Sequence, residues 1–109
     1  MAVTDPDKAV DFIRDNAKPY AEAKAKRIYL EEFRKSKKAL LMAECNEPAA
    51  NAREQYAYAH PEYLEVLDGI RAAVAEEEAL RWQMVAAQAR VEVWRSKESS
   101  ARAEGRATQ

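Results

Sequence analysis

Ten residues between positions 63 and 94 decide most of what this chain can become. Tyr63, Val66, Ile70, Ala73, Glu77, Leu80, Met84, Ala87, Val91 and Trp94 follow one another at alternating gaps of three and four. Side chains at that spacing line one face of an α-helix, and an apolar line of this kind needs a second helix to cover it. The pattern predicts a long helix over 61–100. Pro61, which lacks an N–H, suits its first turn. About forty residues at roughly 1.5 Å each extend on the order of 60 Å. Gly69 and the charged seam residue Glu77 weaken the pattern locally.

The first half of the chain must supply the covering helix. In "TDPDKAV", Thr4 or Asp5 can cap, Pro6 fits the first helical position and Asp7 favours the positive end of the helix dipole. Val10, Ile13 and Ala17 then recur at helical spacing. Pro19 removes a backbone donor, and Asp15 and Asn16 offer a new cap, so a kink or break is expected near residues 16–19 with helix resuming at once. Beyond it Ala21, Ala25, Ile28, Tyr29, Phe33, Leu40 and Ala43 share one broad side of a helix that reaches about residue 44. "CNEPAANA", residues 45–52, reads as a connection because Pro48 disfavours helix just before it. A short helix over about 53–59 follows, with His60 as a cap or turn residue before Pro61. After Ser99 the residues are small and polar and include Gly105, which predicts a flexible tail over 101–109. The expected fold is a single all-α domain, residues 1–109. It is a long antiparallel helical hairpin of coiled-coil type, with a first helix over about 6–44 and a kink or break near residue 19.

Little in the sequence carries chemistry. With two glycines in 109 residues, no glycine-rich turn is present to cradle phosphate. One cysteine, Cys45, and one histidine, His60, do not form a zinc site of the paired kinds. They also lack the third group and oxyanion loop of a nucleophilic pair. The three carboxylates of "AEEEA", residues 75–79, point about 100° apart around a helix and read as a solvated acidic face. The expectation is a chain with no catalytic residues, no metal site and no cofactor, not an enzyme. A lone cysteine, no signal-peptide pattern and no apolar run of about 20 residues predict a cytoplasmic protein that does not enter a membrane.

Charge is the more informative property. Residues 1–45 carry ten basic and eight acidic side chains (+2), residues 46–80 two and eight (−6), and residues 81–109 six and three (+3). Within "KAKRIYLEEFRKSKK", residues 24–38, seven basic side chains meet two acidic ones. In an antiparallel hairpin the acidic middle lies near this basic run, so the run either neutralises its own chain or grips a phosphate backbone. The candidate nucleic-acid contacts are Lys24, Arg27, Arg34, Lys35, Lys37 and Lys38, with Arg95, Arg102 and Arg106 from the basic end and Trp82 or Trp94 to stack on bases. Trp82, Val85, Ala86, Ala89 and Val93 lie off the seam and form a second apolar stripe. From it, Trp82, Val85, Ala89 and Val93 are candidate protein-interface residues, and a homo-oligomer is expected.

Three stretches carry a resemblance: "IRDNAKPYAEAKAKRIYLEEFRKSKKALLM", "AYAHPEYLEVLDGI" and "RWQMVAAQARVEVWRSKESSAR". Over about residues 12–102 the chain resembles a family of short, uncharacterised helical proteins of tailed bacteriophages and prophages, often encoded near recombination or replication genes. The resemblance implies helical structure and an accessory role in DNA recombination or replication inside the bacterial host. The partners to expect are then single-stranded DNA, a recombinase, or both. The competing expectations are an adaptor or inhibitor that covers a host or phage protein, and a coiled coil of virion assembly.

Overall fold

Three helices, α1 (Pro6–Glu44), α2 (Ala50–Ala59) and α3 (Pro61–Ala107), make up an all-α helical hairpin. The computed structural model describes residues 6–107; Thr4 and Asp5, expected as caps, lie outside them. The chain divides into two compact units, residues 21–77 and residues 6–20 with 78–107 among those described.

In the unit of residues 21–77, α1 and α3 run antiparallel. Lys37 meets Glu62, Arg34 meets Tyr63, and Arg27, ten residues back from Lys37, meets Glu77 far along α3. Leu41, Ala57 and Tyr63 form the core, with Met42 packed against it. Each helix therefore contributes one residue to this cluster. Leu41 is only 1% exposed, and burying such a side chain contributes about 1.5–3 kcal/mol.

The connection is shorter than the sequence predicts, because α2 begins at Ala50 and not near residue 53. Ala49 has no side chain to cap it. Instead Arg53, one turn into α2, turns its guanidinium back onto the carbonyls of Glu47 (2.9 Å) and Pro48 (2.8 Å) and ties the loop to the helix start. His60 closes α2 and opens α3. Pro61 keeps His60 extended, at φ −69° and ψ 135°, as a residue before proline must be. The Glu62 N–H then donates to His60 Nδ1 at 3.1 Å, which is an N-cap made by imidazole.

In the unit formed by residues 6–20 and 78–107, Ala9 and Ala87 are buried among the described residues, and Phe12, Ile13, Leu80, Met84 and Val91 are half-buried. Two alanines bury little area, so the core of this unit is thin.

The α3 seam lies where the heptad pattern puts it. Tyr63, Ala73, Glu77 and Ala87 are buried, and Val66, Ile70, Leu80, Met84 and Val91 are half-buried. Trp94 departs from it, at 38% exposed. From Glu92 to Ala107 every residue of α3 is exposed. It is nonetheless helical to Ala107, where a flexible tail over 101–109 was expected.

The α1 seam is not where the apolar residues pointed. Ala21, Ala25, Ile28, Tyr29, Leu40 and Ala43 are exposed, and of that set only Phe33 is half-buried. Near the N-terminus Val10 and Ala17 are likewise exposed. The covered line is Ala9, Ile13, Asn16, Tyr20, Ala23, Arg27, Leu30, Arg34, Lys37 and Leu41, again at gaps of four and three. Four of its ten members are Asn, Arg or Lys, so an apolar search passes over it. No break occurs at Pro19, which sits inside one continuous helix. Pro19 and Asp15 are both exposed, so the Asp15 carbonyl left without its helical donor can turn to water.

Candidate functional site

The cations of α1 are held in place by their position on the helix. Arg27 enters the seam as a fork. Its Nε donates to Glu77 Oε1 and its Nη2 to Glu77 Oε2 at 3.4 Å, while Nη1 reaches both oxygens of Glu31, one turn on, at 3.0 and 3.2 Å. The hydrogen bond with Glu77, and after it the one with Glu31, holds the guanidinium pKa above its ordinary value. Glu77 is 8% exposed, so this one of the three consecutive acids belongs to the seam and not to a solvated face. Glu76 and Glu78 remain exposed.

The neighbouring pairs follow the same logic. Lys37 Nζ lies 2.6 Å from Glu62 Oε1, and that contact, ahead of the charges of Lys37 and His60, holds the Glu62 carboxyl below its ordinary range. Lys38 Nζ lies 3.2 Å from Glu54 Oε2 and 4.6 Å above the Tyr58 ring. Tyr58 first and Glu54 second hold its ammonium above the ordinary lysine value. Lys35 pairs with Glu32 at 3.4 Å, and Arg95 with Glu92 at 3.2 Å, each within one turn of its own helix.

Five of the nine candidate phosphate contacts, Arg27, Lys35, Lys37, Lys38 and Arg95, thus already hold a carboxylate. Lys24, Arg102 and Arg106 are exposed, and no carboxylate reaches them among the described residues. Arg106 Nε donates instead to the Arg102 carbonyl at 3.4 Å. Arg34 meets only the Tyr63 hydroxyl, at 3.4 Å. Glu44, His60 and Glu62 offer ligand atoms within 4.8 Å of one another. However, His60 Nδ1 already accepts the Glu62 N–H and the Glu62 carboxylate already faces Lys37.

The apolar candidates fall on a single face of α3. Trp82 is 59% exposed, with the Arg81 guanidinium 4.5 Å from its ring centre. Ala79, Trp82, Ala86, Ala89 and Val93 are all exposed at gaps of three, four, three and four. Val85, the fourth candidate beside Trp82, Ala89 and Val93, lies on the flank of this stripe. Ala79 is the member that sequence reading passed over, because alanine alone is no signal until its helical phase is known.

The chain matches no family model, no curated protein and no solved structure. No described helix is long and apolar enough to cross a membrane.

The charges flanking the stripe are sorted by side. Glu78, Val85 and Glu92 precede its members on one edge; Gln83, Arg90 and Lys97 follow them on the other, and all six are exposed. Glu78 pairs with Arg81 (2.5 Å) and Glu92 with Arg95 (3.2 Å) within their own helix. Exposed pairs of this kind contribute only about 0.2–1 kcal/mol and can be exchanged.

Proposed function

We propose that this chain is a self-associating helical adaptor and not an enzyme, and that the occupant of the exposed α3 face is a second copy of the chain. The observation that carries this reading is the heptad line Ala79, Trp82, Ala86, Ala89 and Val93, left open beside a closed one. A spacing of about 3.5 fits another helix and little else. The end of α3 supports it: sixteen residues, 92–107, are helical and none is buried. Isolated helices of about 12–15 residues are marginal in water, so a helix there gains from a neighbour.

Charge selects both the partner and its direction. In a parallel pair each flank residue faces the one five positions on in the other helix. Glu92 then meets Lys97 of the second copy, Val85 meets Arg90, and Glu78 meets Gln83. Acidic edge lies on basic edge, twice by symmetry. In the antiparallel register that sets Ala79 against Ala89, Glu78 would face Glu92 and repel it. The wider role, as an accessory of bacteriophage DNA recombination or replication in the host cytoplasm that contacts a recombinase or single-stranded DNA, is proposed on the sequence resemblance. The internal pairing of Arg27, Lys37 and Lys38 favours the protein-directed part of it.

Sedimentation equilibrium tests the pair. The wild-type chain is expected to show twice the monomer mass, and Trp82→Glu to show the monomer mass with unchanged helicity. In a Cys45→Ser background, Val93→Cys should cross-link to itself on oxidation, since parallel helices bring equal positions together. A wild-type monomer at high protein concentration sinks the reading.

A further inference from the structure

The α1 seam carries three cations at Arg27, Arg34 and Lys37, and they are not treated alike. Arg27 finds Glu77 across the seam and Lys37 finds Glu62. Between them Arg34, half-buried, meets no carboxylate among the described residues; its one polar contact is the Tyr63 hydroxyl at 3.4 Å. A guanidinium carries five N–H donors, so most of those of Arg34 are unspent. Removing a charge from water without a counter-charge is costly, and a chain that has matched both neighbouring cations leaves this one open.

What surrounds Arg34 is a cleft of about 220 Å³ lined by Arg34, Lys35, Lys38, Tyr58 and Tyr63. Three cations and two phenols line it, and no carboxylate does. The two rings meet edge to face at 5.3 Å, which sets the wall. Tyr63 is only 4% exposed. Its hydroxyl oxygen accepts from Arg34, so its own hydrogen remains to be donated, and no described residue accepts it. Lys35 and Lys38 are engaged with Glu32 and Glu54 outside the lining, at 3.4 and 3.2 Å, and can turn inward at small cost because those pairs are partly exposed.

The geometry points to a binding site for a phosphate monoester dianion, seated on the Arg34 fork and reached by Lys35, Lys38 and the Tyr63 hydroxyl. Size selects a single oxyanion head: sites for whole organic ligands run about 300–1,000 Å³, and this cleft is smaller. A planar fork takes two oxygens of a tetrahedral anion side by side. The lysines act as point charges on the remaining ones. Two negative charges answer Arg34 and one lysine drawn from its carboxylate, whereas a carboxylate ligand would answer Arg34 alone. The proposal is independent of self-association, which uses residues 78–97.

Titration calorimetry of the full chain at low salt, with inorganic phosphate, glycerol phosphate and acetate as separate probes, tests it. Both phosphates should saturate one site per chain and acetate should bind more weakly. Arg34→Gln should weaken phosphate roughly tenfold, the loss of a charge-assisted pair of hydrogen bonds, and Tyr63→Phe by a smaller factor. Arg71→Gln, an exposed cation paired with Asp68 elsewhere on the chain, should leave it unchanged. Circular dichroism checks that Arg34→Gln is folded. If it is not, the exposed Lys35→Gln should still weaken phosphate. No saturable phosphate binding, equal binding of acetate, or equal losses from Arg34→Gln and Arg71→Gln overturn the site. Saturation by a single-stranded oligonucleotide with none by either phosphate also overturns it, in favour of backbone phosphodiesters.

Discussion

The two seams of this hairpin are built on opposite principles. Along α3 the covered positions are Tyr63, Val66, Ile70, Ala73, Leu80, Met84, Ala87 and Val91, broken once by Glu77. Along α1 the covered positions include Asn16, Arg27, Arg34 and Lys37, while Ile28, Tyr29 and Leu40 face water. One helix offers grease and the other offers stems. Arginine and lysine lay their methylene chains along an apolar surface and send the charge to its edge. Thus α1 covers α3 with the long arms of its cations, and acids of α3 receive the charged heads of Arg27 and Lys37. A helix can belong to a packed pair without being amphipathic in the usual sense, provided that its partner is.

The comparison is broken most forcefully at the one large apolar residue that α1 places fully in the seam. Leu41→Ala should destabilise by roughly 2–5 kcal/mol, while Leu40→Ala, one residue away but 63% exposed, should stay within about 0.5 kcal/mol. Urea unfolding followed by circular dichroism measures both, and equal losses would mean that the α1 seam runs elsewhere. Next in size is the charged crossing. Arg27→Met leaves the Glu77 carboxylate buried without its fork, so the urea midpoint should fall clearly, though by less than for Leu41→Ala. The double variant Arg27→Met with Glu77→Leu should recover the loss, since an apolar pair of similar volume often replaces a buried ion pair without penalty. A double variant as weak as the single one would show that Arg27 acts otherwise than through Glu77.

A smaller effect sits at the edge. Lys37 lowers the folded-state pKa of Glu62 below its ordinary value of 4.5. A lowered acid stabilises the fold at all pH values above its unfolded pKa, and that contribution is lost as pH falls through the folded value. The wild-type urea midpoint should therefore drop between about pH 5 and about pH 3, and Lys37→Met should flatten part of that drop. The smallest effect tests the weak point of the α3 seam. An added methyl at Gly69 would meet only Leu30 Cδ1, at 3.7 Å, an ordinary contact. Gly69→Ala should stabilise by up to about 1 kcal/mol through helix propensity; a loss would reveal crowding against α1.

How legible each part was follows from the same contrast. The α3 seam could be read because its residue types and its period agree, and Trp94 alone misled. A heptad position guarantees a direction on the helix and not the presence of a neighbour to fill it. The α1 seam could not be read from apolar residues because its period is carried by cations; the usable signal was the set of Arg27, Arg34 and Lys37 at gaps of seven and three. Pro19 misled because an exposed proline with an exposed carbonyl one turn back is tolerated, whereas a buried one would break the helix. The helix end at 101–107 was read as loose from its small polar residues, yet Ala101, Arg102, Ala103, Glu104 and Arg106 are sound helix formers. At the candidate surfaces Trp82, Val85, Ala89 and Val93 could be named in advance. The cleft at Arg34 could not, because it depends on which cation lacks an acid, and that is settled only when the two helices are laid side by side.

The ion pairs that bridge α1 to α3 also restrict how the strands of this zipper can slide. Greasy heptads tolerate mis-registration, since moving one helix by seven positions replaces apolar with apolar. Here such a slip would carry Arg27 from Glu77 to Ile70 or Met84, and Lys37 away from Glu62, stranding charge in the joint at both places. A chain so poor in tight turns gains from Arg27 and Lys37 a notch that fixes where its two long rods stop.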